Sequence, residues 1–177
     1  MLLLSLDSFI SRKLNKISDF HIIRNFFKGI SRLGDGIFWY ALMIFILILD
    51  ELHRSIPIII HMALAGLTGS LLYKYLKKRT SRPRPYQINS QIKKQGKAID
   101  QFSFPSGHTL HAVIFSIIAI SYYPTLLLPL TIFTFLVGFS RVILGLHYPS
   151  DVIFAVLLGF LISKIYDAFN FFGFVQF

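Results

Sequence analysis

The chain has no cysteine among its 177 residues, which excludes disulfides and thiolate metal sites and leaves the compartment open. Acid is scarce too: 8 Asp and Glu stand against 18 Lys and Arg, for a net charge of +10. The N-terminus, MLLLSLDSF, lacks a basic n-region and a small-residue cleavage site, so no removable signal peptide is expected. No internal repeat is visible. Also short is the polar surface that a water-soluble domain needs. Hydrophobic residues make up 54% of the chain, 19 of them Phe, and the mean hydropathy is +0.63. The length suits one domain, and one domain of this size cannot hide so much apolar surface from water; lipid serves as its solvent instead. A basic surplus flanking apolar segments suits anionic headgroups or phosphate-bearing lipids better than nucleic acid, and no nucleic-acid partner is expected.

Five segments are long and apolar enough to cross a bilayer, which takes roughly 20 helical residues: 34–53, 56–76, 107–123, 125–142 and 150–169. The fold class that follows is an all-α integral membrane bundle. Residues 1–33 differ. Leu3, Leu6, Ile10, Leu14 and Ile17 fall at helical spacing, while Asp7, Arg12, Lys13, Asn15 and Lys16 take the other side. A second short pattern, Ile23, Phe26, Phe27 and Ile30, is interleaved with Arg24 and Lys28. These read as amphipathic helices lying in the interface, against the plainer reading of helices packed on protein. The division expected is therefore 1–33 interfacial and 34–177 transmembrane. The longest polar stretch, 77–104, begins where Pro83 and Pro85 stop the second span.

Alternation of five spans brings the misplaced polar residues together. If the second span runs toward one face, Lys77 and Arg84 lie there; the third then starts there with FPSGH, the fourth returns Ser140 and Arg141, and the fifth starts beside His147 and Asp151. Ionisable groups at the edges of apolar segments are costly unless they have partners or a task. Arg forks match phosphate oxygens bidentately. Ser106 is a suitable N-cap, which aims the N–H groups near Ser106, Gly107 and His108 at an anion, and Gly107 permits close backbone approach. Asp151, four residues after His147, orients the imidazole and stabilises its positive form, either along a helix or across a turn at Tyr148-Pro149.

K-x6-R-P (Lys77, Arg84, Pro85), P-S-G-H (105–108) and S-R-x5-H-x3-D (Ser140, Arg141, His147, Asp151) stand complete and in order, separated by 19 and 31 residues. This pattern resembles the three-part signature of the type 2 phosphatidic acid phosphatase superfamily, over about 34–170. The resemblance implies an integral membrane, metal-independent lipid phosphatase without a cofactor or an obligate protein partner. By position, His147 would attack phosphorus and form a phosphohistidine, with Asp151 holding its ring. His108 would protonate the leaving oxygen and later activate water; Lys77, Arg84, Ser106, Gly107 and Arg141 would bind phosphate oxygens. Larger members show six spans, so the 1–33 region stands as an interfacial replacement of the first. Among bacterial relatives this compact chain most resembles the small lipid A 1-phosphatases. Phosphatidylglycerophosphate and undecaprenyl diphosphate phosphatases share the motifs, and a lipid-to-lipid phosphotransferase would use the same phosphohistidine.

Other polar residues carry plainer readings. His111 lies three after His108, but no carboxylate at suitable spacing joins them as a metal set. His61, inside a span, suits a neighbouring helix's hydroxyl or carbonyl. Lys93, Lys94 and Lys97 form a solvated or headgroup-touching loop. Arg79 and Arg82 are either auxiliary phosphate binders or surface residues. Fifteen Lys and Arg fall in 1–36 and 74–97. The positive-inside rule therefore puts the polar face in the cytoplasm. The resemblance puts it in the periplasm, at the inner membrane of a bacterium, and that is the expectation kept.

Overall fold

A computed structural model describes residues 2–168. Its helices, in order, are α1 (Leu2–Asn15), α2 (His21–Arg32), α3 (Phe38–Leu49), α4 (Leu52–Thr80), α5 (Pro85–Ile88), α6 (Gly107–Tyr122), α7 (Leu127–Ile143) and α8 (Pro149–Ala168). No strand occurs among the described residues, and α3, α4, α6, α7 and α8 stand where the apolar segments predict helices. Residue 169 of the fifth segment, residues 170–177 and the side chain of Leu3 lie outside what is described. Among the described residues three helical stretches, against the five expected, are long and apolar enough to cross a membrane: His21–Leu49, Leu52–Ile88 and Pro124–Ile143. The 16-residue α6 rises about 24 Å at 1.5 Å per residue.

The segment Leu33–Ile37 joins α2 to α3 as a kink between two helices, because Gly36 within it has non-helical backbone angles. Gly36 makes the kink with φ +126°, where a Cβ would also meet the Tyr40 ring at 3.1 Å. The second span, α4, ends where Ser81 turns left-handed (φ 46°) ahead of Pro83.

Helix α6 is central, packed against α4, α7 and α8. Its Leu110, Ala112, Ile114 and Ile118 bury against Met62 and Ala65 of α4, Val137 of α7 and Ala155 of α8. Ile48, Leu128 and Leu157 face outward, as lipid-facing residues do. Helix α1 is inverted relative to a soluble helix. Its polar row, Asp7, Ser11 and Asn15, is buried against the protein, and Leu6 and Phe9 are exposed. Helix α2 lies along α7, with Phe27 in a second small core beside Ile143, Leu144 and Leu146.

Candidate active site

The polar ends of α4, α6, α7 and α8 meet on one face. Lys77 occupies the last turns of α4, and Arg84 follows the turn at Ser81 as the N-cap of α5. Both side chains are buried and both hold Asp100 of the 89–104 loop. Lys77 Nζ donates to Asp100 Oδ1 at 2.7 Å, and Arg84 Nη2 donates to the same oxygen at 2.9 Å. Burial alone would raise the Asp100 carboxyl, but the Lys77 ammonium and Arg84 guanidinium outweigh it and hold the group below the usual carboxylate range.

Ser106 caps α6: its Oγ accepts from Thr109 N–H at 3.5 Å and shares a 2.9 Å hydrogen bond with the Thr109 hydroxyl. The first turn of α6 then presents Gly107 and His108 to the cavity described below. Arg141, near the C-terminus of α7, is wholly buried and donates through Nη1 to Ser31 of α2. Its Nε–H has no protein partner. The Arg141 side chain also lines the cavity described below.

His147 lies in the short connection between α7 and α8, which Arg141 pins by accepting from both Leu146 N–H (3.0 Å) and His147 N–H (3.1 Å) at its carbonyl. Gly145 turns this connection with φ +73°, and a Cβ there would come within 2.6 Å of the Lys93 carbonyl oxygen. The Asn15 side chain of α1 bridges Lys93 O (3.0 Å) and Ile143 O (2.9 Å) across the same junction. Arg84 Nη1 lies 3.3 Å from His147 Nε2. Since a guanidinium only donates, Nε2 carries the lone pair and Nδ1 the proton. Nδ1 lies 3.6 Å from Asp151 Oδ2, across the turn rather than along a helix, since α8 begins at Pro149. Burial first, then the charges of Arg141, Arg84 and Lys77, push the His147 imidazole well below its ordinary value. It is a neutral base with its lone pair directed among cations.

Asp151 is fully buried and accepts Tyr148 N–H at 2.8 Å and Arg82 Nη1 at 2.6 Å. Arg82 also holds Asp7 of α1 at 2.7 Å and lies over the Tyr148 ring at 4.2 Å. Arg82 therefore faces away from the cavity, toward Asp151. It is neither of the two things the sequence suggests, a phosphate binder or a surface residue.

A cavity of about 450 Å³ connects these groups. Lys77, Arg84, Gly107, His108, Arg141 and His147 line it, with Ser106 and Asp151 buried beside it. Along α4 its lining passes from Lys77 through Tyr73, Ser70 and Leu67 to Ala63, and along α3 from Asp35 through Trp39 to Met43. Fourteen residues of helix cover about 21 Å. The cavity is thus charged at the polar face and apolar toward the middle of the bundle, a shape matched to a phosphorylated amphiphile.

His111 is spoken for: it bonds Gly107 O and the Ser70 hydroxyl, each at 2.8 Å. His61 meets Tyr122 Oη at 2.9 Å, and Lys93 pairs with Asp19 at 2.7 Å on the surface. Sequence reasoning missed Asp7, Asp35 and Asp100. One signal was available for them: in a chain with only 8 acidic residues, an aspartate inside LGDG at the mouth of an apolar run stands out as much as the histidine and aspartate of SRVILGLHYPSD.

Comparison with known proteins places these features in context. The PAP2 superfamily profile matches residues 54–172. The undecaprenyl-diphosphatase BcrC of Bacillus subtilis is 37% identical over 114 residues, a match covering 60% of this chain and 58% of that protein. The crystal structure of a transmembrane PAP2 type phosphatidylglycerolphosphate phosphatase from Bacillus subtilis is similar with a TM-score of 0.76 at 26% identity, covering 99% of this chain and 88% of the other. That of Aquifex aeolicus LpxE gives 0.77 at 25% identity, covering 90% and 93%.

Proposed function

The chain belongs to the PAP2 superfamily of phosphatases, and on that premise we propose that it hydrolyses a lipid phosphate through a phosphohistidine on His147. One observation supports this reading above the others: a neutral imidazole whose Nε2 lone pair sits within reach of Arg84, in a cavity that Lys77 and Arg141 also line. A phosphoryl group drawn to those cations meets the nucleophile already desolvated and in the correct tautomer. Phosphoryl transfer needs positioning and charge stabilisation more than covalent help from the protein. Lys77, Arg84, Arg141 and the first turn of α6 bind the three equatorial oxygens, replacing the charge neutralisation that a divalent ion gives elsewhere. Nε2 of His147 attacks, Asp151 offsets the positive charge that develops on the ring, and His108 gives a proton to the departing oxygen. His108 then takes a proton from water as water displaces the histidine.

The apolar half of the cavity suits an acyl or prenyl chain, and three headgroups fit the charged half. Lipid A 1-phosphate is the substrate we favour, because the compactness that suggests it is shared with Aquifex aeolicus LpxE, 93% of which this chain covers. Undecaprenyl diphosphate and phosphatidylglycerophosphate are the alternatives. Detergent-solubilised protein assayed on all three, with free and lipid-bound phosphate measured in excess chelator, tests the reading. Free phosphate from at least one, undiminished by chelator, is expected. No product, a requirement for one divalent metal, or phosphate found only on acceptor lipid contradicts it.

A further inference from the structure

We propose that Asp35 is a positioning residue for the acid–base histidine: its carboxylate holds His108 through Nε2 and carries the countercharge that lets this histidine exist as an imidazolium when the leaving oxygen departs. The proposal rests on the phosphohistidine reading above and deepens it.

The geometry is specific. Asp35 Oδ1 and His108 Nε2 form an ion pair across 73 residues of sequence. Both groups line the cavity that holds His147. Asp35 sits in the kink between α2 and α3, beside the positive-φ Gly36 that bends the chain there. Residue 35 also precedes the 54–172 stretch matched by the superfamily profile, and none of the three motifs contains it.

A carboxylate only accepts, so the pair fixes a proton on His108 Nε2. That leaves Nδ1 as the nitrogen that serves the substrate. In the first half-reaction the P–N bond to His147 forms as the P–O bond to the lipid breaks. The proton on Nδ1 of the His108 imidazolium passes to the departing oxygen, and His108 becomes neutral, its remaining proton on Nε2 facing Asp35. In the second, Nδ1 takes a proton from water as the water oxygen attacks phosphorus and the P–N bond breaks. Asp35 stays ionised throughout. Its charge matters because His108 lies beside Arg141 at the cationic end of the cavity; with no carboxylate partner, the imidazolium is the form this site would disfavour most.

The leaving group tells this role from a merely structural one. An alkyl phosphate needs the proton as its P–O bond breaks, and a nitrophenolate hardly does. The experiment is rapid-quench measurement of the phosphorylation step on a lipid phosphate and on p-nitrophenyl phosphate, for the wild type, Asp35→Asn, Asp35→Glu, His108→Ala and the Asp35→Asn/His108→Ala double variant. A general acid is worth roughly 10²–10⁴-fold. We expect Asp35→Asn to slow phosphorylation by about 10–100-fold on the lipid and less than about 3-fold on p-nitrophenyl phosphate. Asp35→Glu should recover part of the loss, and Asp35→Asn should add no further leaving-group dependence once His108 is absent. The ratio of the two rates within one variant cancels any loss of folded protein. Equal losses on both substrates, or additive effects in the double variant, overturn the role of Asp35 while the phosphohistidine reading stands. Absence of any phosphohistidine at His147, in the wild type and in His108→Ala turning over p-nitrophenyl phosphate, overturns both.

Discussion

Asp100 Oδ1 lies between Lys77 and Arg84, the two cations we propose bind phosphoryl oxygens. Two buried cations without an acceptor would be costly, and the loop carboxylate removes that cost until an anion replaces it. It therefore competes with substrate and product. Asp100→Asn keeps the side-chain shape and removes the charge, so vanadate, whose five-coordinate adduct on His147 imitates the transition state, should bind more tightly. One charge-assisted hydrogen bond is worth about 1.5–3 kcal/mol, part of which the asparagine oxygen retains, so we expect the inhibition constant to fall by roughly 3–10-fold. An unchanged or higher inhibition constant, measured at equal folded fraction, would show that Asp100 supports the site instead of competing for it. Besides His147 Nε2, the two cations also meet main-chain oxygens: Phe102 O at 2.9 Å from Lys77 Nζ, and Leu146 O at 2.7 Å from Arg84 Nη1 and Asp100 O at 3.2 Å from Arg84 Nε. These hold the side chains in place without neutralising them.

Helix α1 shows what hydropathy alone does not resolve. The sequence pattern sets an apolar row against Asp7, Arg12, Lys13, Asn15 and Lys16, but the buried face cuts across that division: Asp7 and Asn15 are buried, Lys13 and Lys16 are exposed, and Leu14 packs on the second core. Asp7 and Asn15 turn inward because Asp7 has a partner in Arg82 and Asn15 has two carbonyls to bridge. This leaves Leu6 and Phe9 exposed, and we read that outer row as lying in the membrane interface. The apolar helices were legible from hydropathy and prolines, and the three motifs from spacing. What was not legible were pairs such as Asp7–Arg82 and Asp35–His108, which join residues more than 70 positions apart and leave no local pattern. Asp7, Arg82 and Asp151 form a chain of alternating charge that ends at His147. Removing one partner of a buried ion pair typically costs about 3–5 kcal/mol. Asp7→Ala and Arg82→Ala should each lower thermal stability in detergent and reduce turnover, and the double variant should lose less than their sum, with a coupling of at least about 1 kcal/mol. Additive effects would mean that α1 and the Asp151 end of the site act separately.

At the scale of the molecule, charge divides the chain into two unequal faces. Fifteen of its 18 Lys and Arg fall in 1–36 and 74–97, on the side where the cavity is charged. By the positive-inside rule that side is cytoplasmic, but a basic face also suits an enzyme that gathers phosphorylated lipids. We propose that it faces the periplasm. The chain has no cysteine of its own, so Gln91→Cys, in the exposed loop that Arg12 of α1 touches at 2.9 Å, reports orientation directly. Labelling of intact bacterial cells by a membrane-impermeant thiol reagent is expected; labelling only after lysis would put the face in the cytoplasm. Whatever the side, the account depends on one bond, between phosphorus and Nε2 of His147. The most direct measurement is an alkaline detergent quench of the protein with ³²P-labelled lipid phosphate or p-nitrophenyl phosphate during turnover, followed by peptide mapping at alkaline pH. We predict acid-labile, base-stable label on the peptide carrying His147, more of it in His108→Ala with p-nitrophenyl phosphate, whose leaving group needs no proton while water activation is impaired, and none in His147→Ala. Label on any other residue, or phosphate release by His147→Ala without a phosphoenzyme, would contradict it.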